Sequence, residues 1–265
     1  MEALRYEFTS MAPKSYIDIQ VDTLMCHVLN AEEDERFEKL VYCVPPKILQ
    51  RMFATHNHNW MNKKKRRPHK ISSLKNHTEY LAYLDREKLN SHRFLFAPML
   101  YLEHWWLYVL DKSKQEMFVL DSKNISSPSS ERTDLNKFAS NILNQLLKWA
   151  GAPSILKKGS QSLRPTYINI PQQPNGFDCV VFVMKWMELI DPTILAGCCT
   201  YNIEQWTEPM LEEFRKKIMV KIILSKENFL RAEAIKEAHN MRLTRLGAAL
   251  RSPYVQVATP DLSTK

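Results

Sequence analysis

Two apolar segments joined by a short polar turn are the feature that most restricts how this chain can fold. Residues 104–110 and 115–121 are rich in Trp, Tyr, Phe, Val and Leu, which are residue types that favour strands. Between them, residues 111–114 form a polar run of Asp, Lys, Ser and Lys that is typical of a turn. The sequence therefore predicts a β-hairpin.

The register of this hairpin decides whether His104 and Asp121 meet. If Leu110 pairs with Gln115, His104 lies directly opposite Asp121. Directly opposite residues share a face, with Cβ atoms about 4.5–5.5 Å apart, and at that separation a carboxylate accepts a hydrogen bond from an imidazole. A slip of one residue would place the two side chains on opposite faces. The prediction of a His–Asp pair thus depends on the register.

A third reactive side chain, Cys179, follows a loop. Residues 166–170 are typical of a short strand, and residues 171–176 contain the turn signal Pro-Asn-Gly. The apolar run from Cys179 to Ile190 predicts a buried helix, although its β-branched start leaves a strand open. If it is a helix, Asp178 is a candidate N-cap.

A cysteine at a helix N-terminus is chemically useful, because the helix dipole lowers the thiol pKa and favours the nucleophilic thiolate. Gln173, six residues before Cys179, can donate its side-chain amide to a developing oxyanion. A thiol, an imidazole base and a carboxylate that orients the base are the parts of a cysteine hydrolase. Taken singly, His104, Asp121 and Cys179 are ordinary strand, turn and core residues; their combination with Gln173 favours a catalytic site.

These residues carry a family resemblance. The His104-Trp105 pair, the aspartate 17 residues later, and the Gln-x5-Cys segment with Asp before Cys resemble the ubiquitin-like-protein-specific (SUMO) protease family. The upstream segment 11–17 resembles the part of that family that introduces an aromatic-Leu pair and the first helix, so the resemblance covers roughly residues 8–225. It implies a papain-like arrangement and cleavage after the C-terminal Gly-Gly of a modifier, without a cofactor.

The same resemblance implies roles for individual residues. His104 is the base, Asp121 orients it, Cys179 is the nucleophile and Gln173 helps to form the oxyanion hole. The substrate-binding residues are Trp105 and Tyr16, which clamp the Gly-Gly tail, together with Asp18. Trp105 belongs to the His-Trp pair, Tyr16 lies in segment 11–17, and Asp18 directly follows that segment.

Three positions depart from the family pattern. Val180 stands where the family usually has Gly after the nucleophile, and its β-branched side chain restricts the neighbouring backbone. Tyr16 stands where the family usually has Trp, and the family's acidic residue falls on Ile19, with Asp18 one position away. These departures leave an alternative open, in which the chain is a relative that binds a ubiquitin-like modifier with little or no catalysis.

Composition limits the remaining function classes. With 265 residues and 45% hydrophobic side chains, the chain suits one domain with an extension. No apolar run approaches the roughly 20 residues that cross a bilayer, and the N-terminus lacks the pattern of a signal peptide. Five cysteines without framework spacing favour a reducing compartment, and without a CxxC motif no metal site is expected. We expect a monomer in the nucleus or cytoplasm, not a secreted protein.

The net charge of +8 comes largely from one basic run at residues 63–70. Such a run is a solvated loop, a nuclear localisation signal or a nucleic-acid contact. If the run is a nuclear localisation signal, it favours the nucleus over the cytoplasm as the location of the protein. The nucleic-acid reading leaves a second alternative open, a mobile-element-derived protein that binds nucleic acid.

The order of elements predicts an α+β fold with a central mixed sheet flanked by helices. Helices are predicted at 20–30, 32–41, 47–54, 134–150 and 208–224, and a further strand at 94–100. A SUMO-protease-like catalytic domain is expected over 1–225. A helical extension and a disordered tail are expected over 226–265.

Overall fold

The computed structural model describes residues 8–61, 74, 77–123, 128–197 and 200–250. Its helices and strands alternate along the chain. In order they are α1 (Ile19–Asn30), a π-helix (Arg36–Leu40), β1 (Val41–Cys43), α2 (Pro46–Met61), α3 (Thr78–Leu81), α4 (Arg86–Ser91), β2 (Phe94–Tyr101), β3 (His104–Asp111), β4 (Glu116–Leu120), α5 (Ser130–Ala150), β5 (Thr166–Tyr167), α6 (Cys179–Leu189), a 3-10 turn (Pro192–Ile194), α7 (Glu208–Leu224) and α8 (Arg231–Leu250).

A single mixed sheet of five strands, in the order β1-β2-β3-β4-β5, forms the centre of the fold. The outer pairs β1–β2 and β4–β5 are parallel, and the inner pairs β2–β3 and β3–β4 are antiparallel. Helices cover the sheet on both faces, which makes this a papain-like α+β fold as the sequence predicts.

Strand β3 is buried along its whole length and separates two hydrophobic clusters. Trp105 belongs to the cluster formed with α1, α6 and α7, whereas Trp106 belongs to the cluster formed with α2 and α5. Successive strand residues point to opposite faces, so adjacent tryptophans serve different sides of the sheet. Both are buried, at 3% and 1% exposure.

The predicted register of the β3–β4 hairpin is wrong by two positions. Asp111 pairs with Glu116, so that the turn comprises residues 112–115 rather than 111–114. The Asp111 carboxylate accepts hydrogen bonds from the N–H groups of Ser113 and Lys114 and from the more distant Arg93, and these contacts draw Asp111 into the strand. Gln115 takes the left-handed conformation that closes the turn.

Two further predictions need correction. The helix expected at 32–41 is a short π-helix followed by strand β1. The helix expected at 134–150 begins earlier, at Ser130, because Ser129 accepts a hydrogen bond from the Arg132 N–H and caps α5. The run from Cys179 is a helix and not a strand.

The predicted boundary at residue 225 stays a prediction. Helix α8 supplies the expected helix of the extension, while the tail expected beyond it lies outside the described residues. None of the helices in the described ranges is both long and apolar enough to span a membrane.

Candidate active site

His104 and Asp121 form a buried pair at one end of the sheet. The distance from His104 Nε2 to Asp121 Oδ1 is 2.7 Å, and the two residues are 8% and 2% exposed. The predicted contact therefore forms despite the shifted register. A shift of two residues keeps both side chains on the same face, and diagonal neighbours remain within reach of each other.

The second oxygen of Asp121 is held by Arg132, which the sequence analysis missed. Arg132 Nη2 lies 3.0 Å from Asp121 Oδ2, and its guanidinium carbon lies 3.4 Å from the centroid of the Trp106 ring. Burial alone would raise the pKa of Asp121. The hydrogen bond from His104, the charges of His104 and Arg132, and the Lys123 N–H instead hold that pKa below its usual range. Asp121 is thus an anion fixed at both oxygens.

Cys179 is the first residue of α6 and is 0% exposed. Its Sγ lies 3.9 Å from the backbone oxygen of Glu103, the residue immediately before His104. The fold therefore brings the thiol to the strand end that carries the histidine. His104 Nδ1 is buried and has no hydrogen-bond partner among the described residues, the Cys179 thiol included, so the structure brings the thiol to the histidine end of the strand without a hydrogen bond between the two side chains.

The expected lowering of the Cys179 pKa is not met. Burial raises the pKa of this thiol, and the backbone N–H groups of Trp105, Val180 and Cys179, with the charge of Lys123, oppose that rise only in part. Desolvation penalises a thiolate more than one helix terminus favours it here. Burial therefore favours the thiol form of Cys179 over the thiolate.

The loop before Cys179 is tied to the residue after Asp121. The Ser122 hydroxyl donates a hydrogen bond to the side-chain oxygen Oε1 of Gln173 at 2.5 Å. The backbone N–H of Gln173 donates to the backbone carbonyl oxygen of Ser122 at 2.9 Å. Gln173 Nε2 donates to the Asn175 oxygen at 2.5 Å. An amide nitrogen carries two hydrogens, so one N–H remains for another acceptor.

Asp178 occupies the N-cap position of α6, but its side chain does not cap the helix. Its carboxylate instead binds Arg215 on α7 and Asn175 in the same loop. The prediction of the position is confirmed and that of a capping side chain is wrong, because a buried guanidinium competes for the carboxylate.

The predicted substrate-binding residues differ in exposure. Tyr16 is 54% exposed, whereas Trp105 is buried in the core cluster. Asp18 caps α1 by accepting a hydrogen bond from the Gln20 N–H at 2.7 Å. Contacts of these three residues with a substrate stay predictions.

No group of three His, Cys, Asp or Glu side chains in the described part of the chain is placed to hold a metal ion. The basic run 63–70 lies outside the described residues. A cysteine, a histidine and an aspartate at one strand end can perform nucleophilic acyl transfer without a metal.

Comparison with known proteins identifies the family of the chain. The sequence model of the Ulp1 protease family, C-terminal catalytic domain, matches residues 23–223, which is most of the chain. The chain belongs to the Ulp1 protease family. Members of this family are cysteine peptidases that act on ubiquitin-like proteins. The matched range includes all four predicted catalytic residues, but it begins after Tyr16 and Asp18.

Individual relatives are more distant. The ubiquitin-like-specific protease ESD4 of Arabidopsis thaliana is 29% identical over 99 residues, which are 36% of this chain and 18% of that protein. The chain thus matches only about a fifth of the length of this curated relative.

One solved structure shows the same fold at low identity. The SUMO protease Ulp1 with its catalytic cysteine oxidised to a sulfenic acid aligns with a TM-score of 0.50 and 13% identity, over 83% of this chain and 84% of that chain. The Ulp1 protease domain in complex with SMT3, the yeast ortholog of SUMO, aligns with a TM-score of 0.48 and 13% identity, over 82% and 81%.

Proposed function

We propose that this chain is a cysteine peptidase that cleaves after the C-terminal Gly-Gly of SUMO or a related ubiquitin-like modifier. Its targets are isopeptide conjugates, modifier precursors or both. The observation that carries the proposal is the buried His104–Asp121 pair at 2.7 Å, with Cys179 packed against the residue that precedes the histidine. The family membership supplies the substrate class.

The chemistry begins with the transfer of a proton. With the proton on Nε2, His104 donates to Asp121 and leaves Nδ1 as a free acceptor. Nδ1 removes the thiol proton of Cys179 as the sulfur attacks the glycine carbonyl carbon. The imidazolium that forms is stabilised by the Asp121 carboxylate and then gives its proton to the leaving amine.

A thioester then links Cys179 to the modifier. Water attacks this thioester with His104 again as the base, and the modifier is released with a free carboxylate. The remaining N–H of Gln173 and the backbone N–H of Cys179 serve the oxyanion in both steps. Because Ser122 fixes the Gln173 carbonyl oxygen, the amide does not need to reorient during the reaction.

The substrate tail is proposed to lie between Tyr16 and Trp105. Tyr16 offers an exposed aromatic surface, while Trp105 must turn part of its buried ring toward the tail. Asp18 sits at the start of α1 with one oxygen engaged by the helix cap. We propose that the Asp18 carboxylate pairs with a basic residue of the modifier.

Turnover of C-terminal fluorogenic amides of SUMO, ubiquitin and one further ubiquitin-like protein tests this proposal. Wild type should release the fluorophore from at least one modifier, and His104→Ala should abolish release. His92→Ala is the matched control, because His92 is also a buried histidine but bonds the Phe37 oxygen instead. Equal turnover by His104→Ala and wild type would refute the assigned base.

A second candidate is a protein that binds a modifier without turning it over. The complete burial of Cys179, its raised pKa and the β-branched Val180 beside it favour this alternative. Calorimetric binding of an uncleaved modifier, with no fluorophore release from folded wild type, would select it over the peptidase.

The cellular location is proposed to be the nucleus rather than the cytoplasm, on the basic run at 63–70 alone. A fluorescent fusion should lose nuclear accumulation when these residues are neutralised. Salt-dependent binding to nucleic acid that vanishes in the same variant would instead support the nucleic-acid reading.

A further inference from the structure

A buried arginine on α7 connects two segments that the proposed reaction uses. Arg215 is 2% exposed, and its Nε lies 2.8 Å from Asp178 Oδ1. Its Nη2 lies 2.7 Å from the Ser15 oxygen, and its Nη1 lies 3.1 Å from the Ala12 oxygen and 3.3 Å from the Ser10 oxygen. One guanidinium thus binds the Cys179 loop and the segment before α1 at the same time.

The two contacts fall next to functional side chains. Asp178 directly precedes Cys179, and Ser15 directly precedes Tyr16. A movement of the guanidinium would therefore displace the backbone on both sides of the proposed substrate tail. Sequence distance hides this connection, since Arg215 is 37 residues from Asp178 and 200 from Ser15.

The Cys179 loop depends on this arginine for its shape. The other oxygen of Asp178 accepts a hydrogen bond from Asn175 Nδ2 at 2.7 Å, and Asn175 Oδ1 accepts from the N–H groups of Phe177 and Asp178. The loop is closed on itself, and Arg215 provides its ionic link to α7 and to residues 10–15. The carboxylate that would otherwise cap α6 is committed to Arg215.

We propose that Arg215 is a positioning residue that sets the separation between Cys179 and the Tyr16 wall. This inference rests on the proposed function, because both ends of the contact are assigned there. A planar guanidinium presents five N–H groups in a fixed fork, whereas a lysine ammonium is a single point charge. Lysine at this position keeps the charge but cannot satisfy Asp178 and the three backbone oxygens in the same geometry.

A half-buried arginine elsewhere in the fold allows an effect on positioning to be separated from an effect on stability. Arg36 also directs its guanidinium at backbone oxygens, those of Met187, Glu188 and Ile190. These lie at the C-terminal end of α6, the opposite end of the helix from Cys179. Arg36→Lys therefore removes a comparable set of hydrogen bonds without touching either segment of the site.

The experiment compares Arg215→Lys with Arg36→Lys at a temperature where both variants are folded. Steady-state kinetics are measured on the modifier amide that wild type cleaves, and hydrogen exchange is measured for residues 8–18 and 172–179. Arg215→Lys should lower kcat and raise KM, with kcat/KM falling about 10-fold to 100-fold, since small displacements of reacting groups cost rates of this order. Arg215→Lys should also raise hydrogen exchange in both segments. Arg36→Lys should stay close to wild type in kcat/KM and in the hydrogen exchange of both segments.

Asp178→Asn provides a second route if Arg215→Lys does not fold, because it keeps the side-chain shape and removes the charge that holds the guanidinium. It should raise exchange in residues 8–18, to which Asp178 is linked through Arg215. Kinetics of Arg215→Lys equal to those of Arg36→Lys, or unchanged exchange in residues 8–18, would overturn the inference. If wild type cleaves no modifier, the proposed function fails and the exchange result alone decides whether Arg215 positions the two segments.

Discussion

Replacing Arg132 by glutamine should destabilise the protein far more than replacing a half-exposed arginine in a similar pair. The change removes the 3.0 Å contact with Asp121 and the stacking of the guanidinium 3.4 Å from the Trp106 centroid. Both partners of the ion pair are buried, with side chains 7% and 2% exposed. Breaking a buried pair costs about 3–5 kcal/mol, because the remaining charge is left without compensation.

Arg93 gives the matched comparison. It binds Asp111 at 2.7 Å and stacks on Phe94, but its side chain is 36% exposed. The Asp111 side chain is itself only 1% exposed, but its Oδ1 keeps the hydrogen bonds from Ser113 and Lys114, and water reaches the Arg93 side of the pair. Arg93→Gln should therefore cost about 1 kcal/mol.

Urea unfolding at pH 7 measures both free energies of unfolding, with the slope against urea checked for constancy. A loss of less than about 1 kcal/mol for Arg132→Gln, or equal losses for the two variants, would refute the view that Arg132 holds a buried anion.

Three further outcomes follow from the same contacts. Asp121→Asn should lower kcat by orders of magnitude while KM changes little, because the histidine loses the carboxylate that orients it and stabilises its charged form; steady-state kinetics check this. The Asp22 carboxylate is buried and has no hydrogen-bond partner among the residues that the structure describes, and this burial raises the pKa of Asp22 to about 8. The folded state therefore holds an extra proton between the unfolded pKa of about 3.9 and pH 8, and stability should fall as pH rises through that window. Urea unfolding at pH 4, 6 and 8 should show Asp22→Asn gaining stability over wild type as pH rises, and parallel curves would contradict the shift. Asp18→Ala should lose about 1 kcal/mol of stability with the helix cap, whereas Asp18→Asn keeps the cap and should weaken only modifier binding.

The sequence predicts the contact between His104 and Asp121 better than it predicts the register of the hairpin that carries them. His104 and Asp121 meet because a two-residue error in register leaves the face of a strand unchanged. The register itself depends on Arg93, 18 residues before Asp111, which helps to draw Asp111 into the strand. Strand periodicity carries no information about such a contact.

The buried arginines escaped the sequence analysis for a related reason. Arg132 stands in a polar run and Arg215 on a helix with many charged side chains, so both have the local pattern of solvent-exposed residues. Only the tertiary structure shows that each is buried against a carboxylate. The pKa of Cys179 likewise depends on burial, which a helix N-terminus read from the sequence does not reveal.

The most direct test of the account is covalent capture by SUMO carrying a C-terminal vinyl sulfone, with ubiquitin and a third ubiquitin-like protein in parallel. Peptide mapping by mass spectrometry identifies the modified residue. Cys43 is the control residue, because its thiol is also buried but lies in β1. We predict one adduct, on Cys179, in wild type and in the Cys43→Ala variant. We predict no adduct in the Cys179→Ala variant. An adduct that persists in Cys179→Ala, or none from folded wild type with any of the three modifiers, would contradict the assignment of Cys179 as the nucleophile of a modifier-directed peptidase.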